Sequence, residues 1–154
     1  MKTLLTAAAL SFGLAVSAQS YNDLIEVVRS DVRTEHQAIV LANLNLTEAQ
    51  SAAFTPIWDE YSAELKKHWD KRIALIKDYA AKYQTMNDEA AASLMKRMVV
   101  LEKENIALRD KYAKKVMKVL PTTVAARWMQ IERRLGMLVE LQLADEIPMM
   151  PKGK

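Results

Sequence analysis

The residues of this chain with the richest potential chemistry are His36 and His68, because imidazole both exchanges protons near neutral pH and ligates metal ions. Neither has a second histidine three or four positions away. Glu35 adjoins His36, and Glu64 stands four residues before His68, where a helix would bring the two together. Two imidazoles are fewer ligands than a structural zinc site takes. The chain has no cysteine, which removes a thiol nucleophile, a thiolate metal site and a disulfide framework. Serines and carboxylates are present, but no histidine has a sequence context that places it in a triad or dyad. The expectation is a non-enzyme without catalytic residue, cofactor or metal ligand, with both histidines solvated on helix faces.

Methionine is the other chemically distinctive residue, with nine copies in the chain. Flexible thioethers suit a promiscuous apolar surface, and they also fill gaps between helices. Met95, Met98 and Met129 neighbour the apolar seam and read as gap-filling. Met149 and Met150 follow the last helix and are freer to be exposed.

These side chains must be carried by helices. Leu24, Val28, Val32 and Ile39 recur at helical spacing over 21–43, with Val27 and Val40 alongside. Asn43-Leu44-Asn45 interrupts the pattern, and Thr47 with Gln50 forms a capping box that opens a second helix reaching about Tyr83. Its stripe is Trp58, Tyr61, Leu65, Trp69, Ile73 and Ile76. Pro56 lies inside it and predicts a kink or a short first piece. Gln84 to Asp88 makes the turn, with Asn87 or Asp88 as the next cap. A third helix over 89–119 carries Leu94, Met98, Leu101, Asn105, Leu108, Tyr112 and Val119, with Asn105 a register-setting polar residue in the seam. Pro121 ends it, Thr122 or Thr123 caps a fourth, and Trp128, Ile131, Leu135 and Leu138 follow until Ile147-Pro148. The long second and third helices, joined by a short turn, must form an antiparallel hairpin. The fold class is therefore all-α: four helices, the hairpin flanked by helices one and four.

Composition agrees. Three glycines and four prolines are too few for a loop-rich sandwich or a long linker. Residues 1–18 read as a secretory signal: Lys2, an apolar run from Leu4 to Val16, then Val16-Ser17-Ala18 with cleavage after Ala18. The run is too short to span a bilayer and no basic cluster follows it. A helical domain over 19–147 and a short flexible tail over 148–154 complete the organisation, and the expected location is a bacterial periplasm. The positive charge is slight, +3, and basic and acidic residues alternate, which argues against a nucleic-acid partner.

Leu46-Thr47-Glu48-Ala49-Gln50, in an exported, cysteine-free, four-helix chain, resembles the LTxxQ motif of the Spy/CpxP family of periplasmic proteins. A second copy would fall near Leu120-Pro121-Thr122-Thr123-Val124, which keeps the leucine but not the glutamine. The resemblance implies thin, curved helical dimers that hold unfolding envelope proteins without ATP or damp an envelope-stress sensor; zinc-resistance relatives bind metal. The alternative it implies is a regulatory partner of one inner-membrane stress, sigma-factor or metal sensor, zinc-responsive in one variant. Leu46, Thr47 and Gln50 are explained by capping alone, so the motif marks a scaffold.

Two features suggest a surface for clients. Lys66, Lys67, Lys71, Arg72, Lys111 and Lys115 would ring the hairpin and attract acidic, partly unfolded chains. Met137, Leu138, Val139, Leu141 and Leu143 leave the fourth helix apolar nearly all round, which predicts a homodimer sharing that surface, with Met137, Leu141, Met149 and Met150 available for contact.

Overall fold

The computed structural model describes residues 35–151. The signal segment and the first part of the first helix lie outside the described residues. Within them the chain is all-α, with no strand. Helix α1 occupies 35–44, α2 Glu48–Lys82, α3 Asp88–Val116 and α4 Thr122–Glu146; a short 3₁₀ turn, Tyr83–Thr85, joins α2 to α3.

Local chemistry sets these boundaries. Asn43 Nδ2 donates to the Ile39 carbonyl, and Asn45 takes a left-handed φ of 51°, a conformation asparagine tolerates just past a helix end. Two residues later the capping box is complete: Gln50 N–H donates to Thr47 Oγ1 at 3.3 Å, and Thr47 N–H donates to Gln50 Oε1 at 3.0 Å. Pro56 does not mark a short first piece; it sits exposed within one continuous α2. Asn87 caps α3 by accepting from the Ala90 amide at 2.8 Å. At α4 neither threonine caps. Pro121 is the N-cap, and its carbonyl accepts from the Val124 and Ala125 amides. The third helix stops at Val116, three residues early, because a turn through Met117–Leu120 folds Leu120 back into the core.

At about 1.5 Å per residue, the 35 residues of α2 and 29 of α3 make rods roughly 52 and 44 Å long. They pack side by side and antiparallel. The register is pinned by a ladder of ion pairs from Lys115–Glu60 through Lys111–Glu64 and Lys71–Glu104 to Arg97–Asp78. The buried line of α3 is Leu94, Leu101, Leu108, Tyr112 and Val116, so Met98 and Val119, expected in the seam, are exposed.

The core divides into two. The larger part lies at the α1 end and gathers all four helices around Phe54, Trp58, Tyr61, Tyr112 and Trp128, with Val40 and Leu44 from α1. Its rings meet mostly edge to face, with centroids 5.2 Å apart for Tyr61–Trp128 and for Tyr61–Tyr112. The smaller part joins the far halves of α2 and α4 through Ile76, Val139 and Leu143, with Trp69 and Ile147 against them. Beyond it, Tyr79 and Tyr83 hydroxyls donate to the Pro148 and Met149 carbonyls, so the tail expected to be free after Ile147 is tied at its first two residues. No helix among the described residues is long and apolar enough to cross a membrane.

Candidate functional site

Both histidines are buried, which corrects the expectation that they are solvated. His36 projects from α1 into the larger core, its ring edge-on to Trp58 at 5.0 Å, with Nε2 2.8 Å from Glu132 Oε1 on α4. The Tyr61 hydroxyl of α2 donates to the other carboxylate oxygen at 2.6 Å. Glu132 is only 4% exposed, so these two donors replace the water it has lost. Arg109 of α3 completes the cluster electrostatically. Burial raises the Tyr61 hydroxyl well above its usual pKa, the Glu132 charge and hydrogen bond push it further, and the Arg109 guanidinium pulls it down. Gly136 of α4 makes room for that guanidinium: a Cβ there would lie 2.7 Å from Arg109 Nη2.

His68 is alone by comparison. Its ring lies beside Trp69, its Nδ1 has no hydrogen-bond partner, and burial lowers its pKa below the usual histidine value, with Lys71, Arg72 and Arg109 acting in the same direction. A depressed imidazole pKa means that the unfolded chain takes up a proton first, so His68 works against the fold as pH drops. Glu64 is not its partner. Lys111 holds Glu64 across the hairpin at 2.7 Å and keeps its carboxyl below the usual range. Among the described residues no group of three or more histidines and carboxylates is placed to hold a metal ion.

The basic residues read as a client-attracting ring are distributed differently from one another. Lys66 and Lys67 project freely from α2. Lys71 is bound to Glu104, Lys111 to Glu64 and Lys115 to Glu60, each across α2 and α3. Arg72 reaches Glu140 on α4 while its guanidinium lies over the Trp69 ring. Four of the six therefore spend their charge on the neighbouring helix. Asp78, held by Lys82 and Arg97, has its carboxyl below the usual range for the same reason as Glu64. For both carboxylates the lowered pKa contributes stability above the unfolded value, and that contribution fades as pH falls through the folded one.

The apolar candidates are open. Met137 is 60% exposed and Leu141 69%, with Leu138 beside them on the outer face of α4, and Met149 and Met150 follow past its end. Met95 and Met98, expected to fill gaps between helices, are exposed instead, because they fall on the outer side of α3; Met95 forms a second open set there with Val99 and Ile106, at steps of four and seven, and Ile106 is 70% exposed. The signal was available, since these positions fall between the buried leucines at helical spacing. A shallow open depression lined by Pro56, Ile57, Glu60, Lys115, Lys118 and Val119 lies where the start of α2 meets the end of α3.

Among the described residues, the polar cluster of His36, Tyr61 and Glu132 is closed inside the core. What the bundle offers outward is two rows of unbranched and branched aliphatic side chains set among charges. Comparison of the chain with protein-family models, with curated proteins and with solved structures finds no match in any of the three.

Proposed function

We propose that this protein is a periplasmic, ATP-independent binding protein of the Spy/CpxP type, which holds partly unfolded envelope proteins on an exposed apolar surface. The observation that carries this reading is the open row on α4 and α3, in which Met137, Leu141, Met95 and Ile106 are each at least 60% exposed. Large apolar side chains left in water along rigid helices are costly to keep in solution unless something covers them. Methionine and leucine also adapt to many shapes without demanding a fixed geometry. The free amines of Lys66 and Lys67 add long-range attraction for acidic segments. The exposed surface is shared in a homodimer, which leaves part of it for clients. The LTxxQ resemblance at Leu46, Thr47 and Gln50 and the leader-like residues 1–18 support the same assignment.

The test is aggregation of a reduced, unfolding model client in the presence of the mature protein. Suppressed light scattering at stoichiometric ratio, without ATP, is the expected result; unchanged scattering rejects the proposal. Recovery from envelope extract of one saturable partner instead of many weak ones would transfer the protein to the sensor-partner class.

A further inference from the structure

Methionine is the only sulfur-bearing residue type in this chain, since cysteine is absent. Its placement in the bundle is unusual. Methionine ranks with the residues most often buried. Yet of the eight among the described residues only Met86 and Met129 are half-buried, and the other six lie open to water. The division follows the helix faces. On α3 the buried line is led by Leu94, Leu101 and Leu108, while Met95 and Met98 stand on the outer side. On α4 Val139 and Leu143 pack inward, while Met137 turns outward with Leu141. Met129 is the methionine that packs on the larger core. Leucine, of like volume, would serve as well for a merely apolar surface. What a thioether adds is oxidation chemistry.

Hydrogen peroxide acts on an open thioether without help from a catalytic residue. The sulfur lone pair attacks one peroxide oxygen, an S–O bond forms and the O–O bond breaks. The hydroxyl proton on that oxygen then passes to the departing hydroxide, which leaves as water. Sulfur loses two electrons and the peroxide gains them. The product, methionine sulfoxide, turns a flexible apolar side chain into a polar one. An apolar client that covers the S–O group takes it out of water without giving it a partner, which is unfavourable. The cores are spared, because leucine, valine and aromatic rings make most of their contacts. A dithiol reductase reverses the change: two thiols close to a disulfide, and the sulfoxide oxygen leaves as water. This chain has no thiol of its own, so the reduction falls to a separate enzyme. We propose that Met95, Met98 and Met137 form an oxidant-operated switch, in which peroxide converts them to sulfoxides and loosens the hold on clients, and a methionine sulfoxide reductase restores it. The switch rests on the client-holding surface proposed above and adds its regulation.

The experiment exposes the mature protein to hydrogen peroxide. Peptide mass spectrometry reads oxygen uptake at each methionine, circular dichroism reads helix content, and light scattering reads client suppression. Met95, Met98 and Met137 each gain one oxygen before Met129 does, and helix content is unchanged. The ratio of protein to client that halves the scattering rises at least about threefold. After peroxide is removed, reductases for both sulfoxide epimers with dithiothreitol return that ratio to its starting value. The variant Met95→Leu/Met98→Leu/Met137→Leu keeps the contacts apolar and holds its ratio through the same treatment. The switch is overturned if Met129 oxidises as fast and helix content collapses with it, or if the leucine variant loses suppression as the unaltered chain does. Suppression that survives full oxidation at the three positions overturns the switch alone. Absence of suppression before any peroxide is added overturns the client-holding surface, and the switch with it.

Discussion

Trp128 is the side chain on which the larger core turns. It is 1% exposed and meets the rings of both Phe54 and Tyr61, one helical turn before Glu132. Truncation there removes the largest fully buried side chain among the described residues. Trp128→Ala should lower unfolding stability by about 3–5 kcal/mol, read as a fall in the urea midpoint at unchanged slope. The sequence showed Trp128 as a core residue because helical spacing marks it. It did not show Glu132, although Glu132 lies four residues on and falls in the same stripe as Val139 and Leu143. A charged residue on an apolar face reads as a solvated exception until its partners are known, and those partners, His36 and Tyr61, are 96 and 71 positions away. Periodicity within one helix carries no information about such pairings. The same limit placed both histidines in solvent, where the structure buries them.

Helix ends are chemically local, and they were the most legible elements. The Thr47–Gln50 box and the Asn87 cap occur as their residue types require. Thr47→Ala leaves the Gln50 amide without its acceptor and should cost about 1 kcal/mol, measured by thermal or urea unfolding. The hairpin followed from two long periodic segments joined by a short turn. Three details departed from expectation. Pro56 falls late enough in α2 that hydrogen bonds on either side carry the helix across it, and the Thr55 hydroxyl returns to the Ser51 carbonyl just before it. The last turn of α3 gives way to tertiary packing, because burying Leu120 outweighs continuing the helix to Val119. Pro121, with its fixed φ, presents its carbonyl to the first amides of α4 and leaves Thr122 and Thr123 exposed. Lysines on α2 and α3 read as a free cationic ring, whereas the antiparallel register sets most of them opposite carboxylates; that register is a property of two helices together.

At the scale of the whole molecule, the described residues form a rod-like bundle whose thicker end is closed by α1 and whose thinner end is covered by α4 alone. Among the described residues, nothing covers the outer face of α4 or the row on α3. If a second copy shares this surface, the mature protein sediments as a dimer at micromolar concentration, and Leu141→Lys shifts it toward monomer by placing a charge in the contact. An all-α chain with a greasy last helix was visible in composition and spacing. Which greasy residues face inward was not, because α4 buries Val139 and Leu143 against α2 and turns Met137 and Leu141 outward. The most direct measurement is light scattering of an unfolding client with the unaltered protein and with the Met137→Ser/Leu141→Ser double variant, whose fold is checked by circular dichroism. The account predicts stoichiometric suppression by the first and a clear loss of suppression by the second. Equal scattering with either protein, whether both protect or neither does, would contradict it.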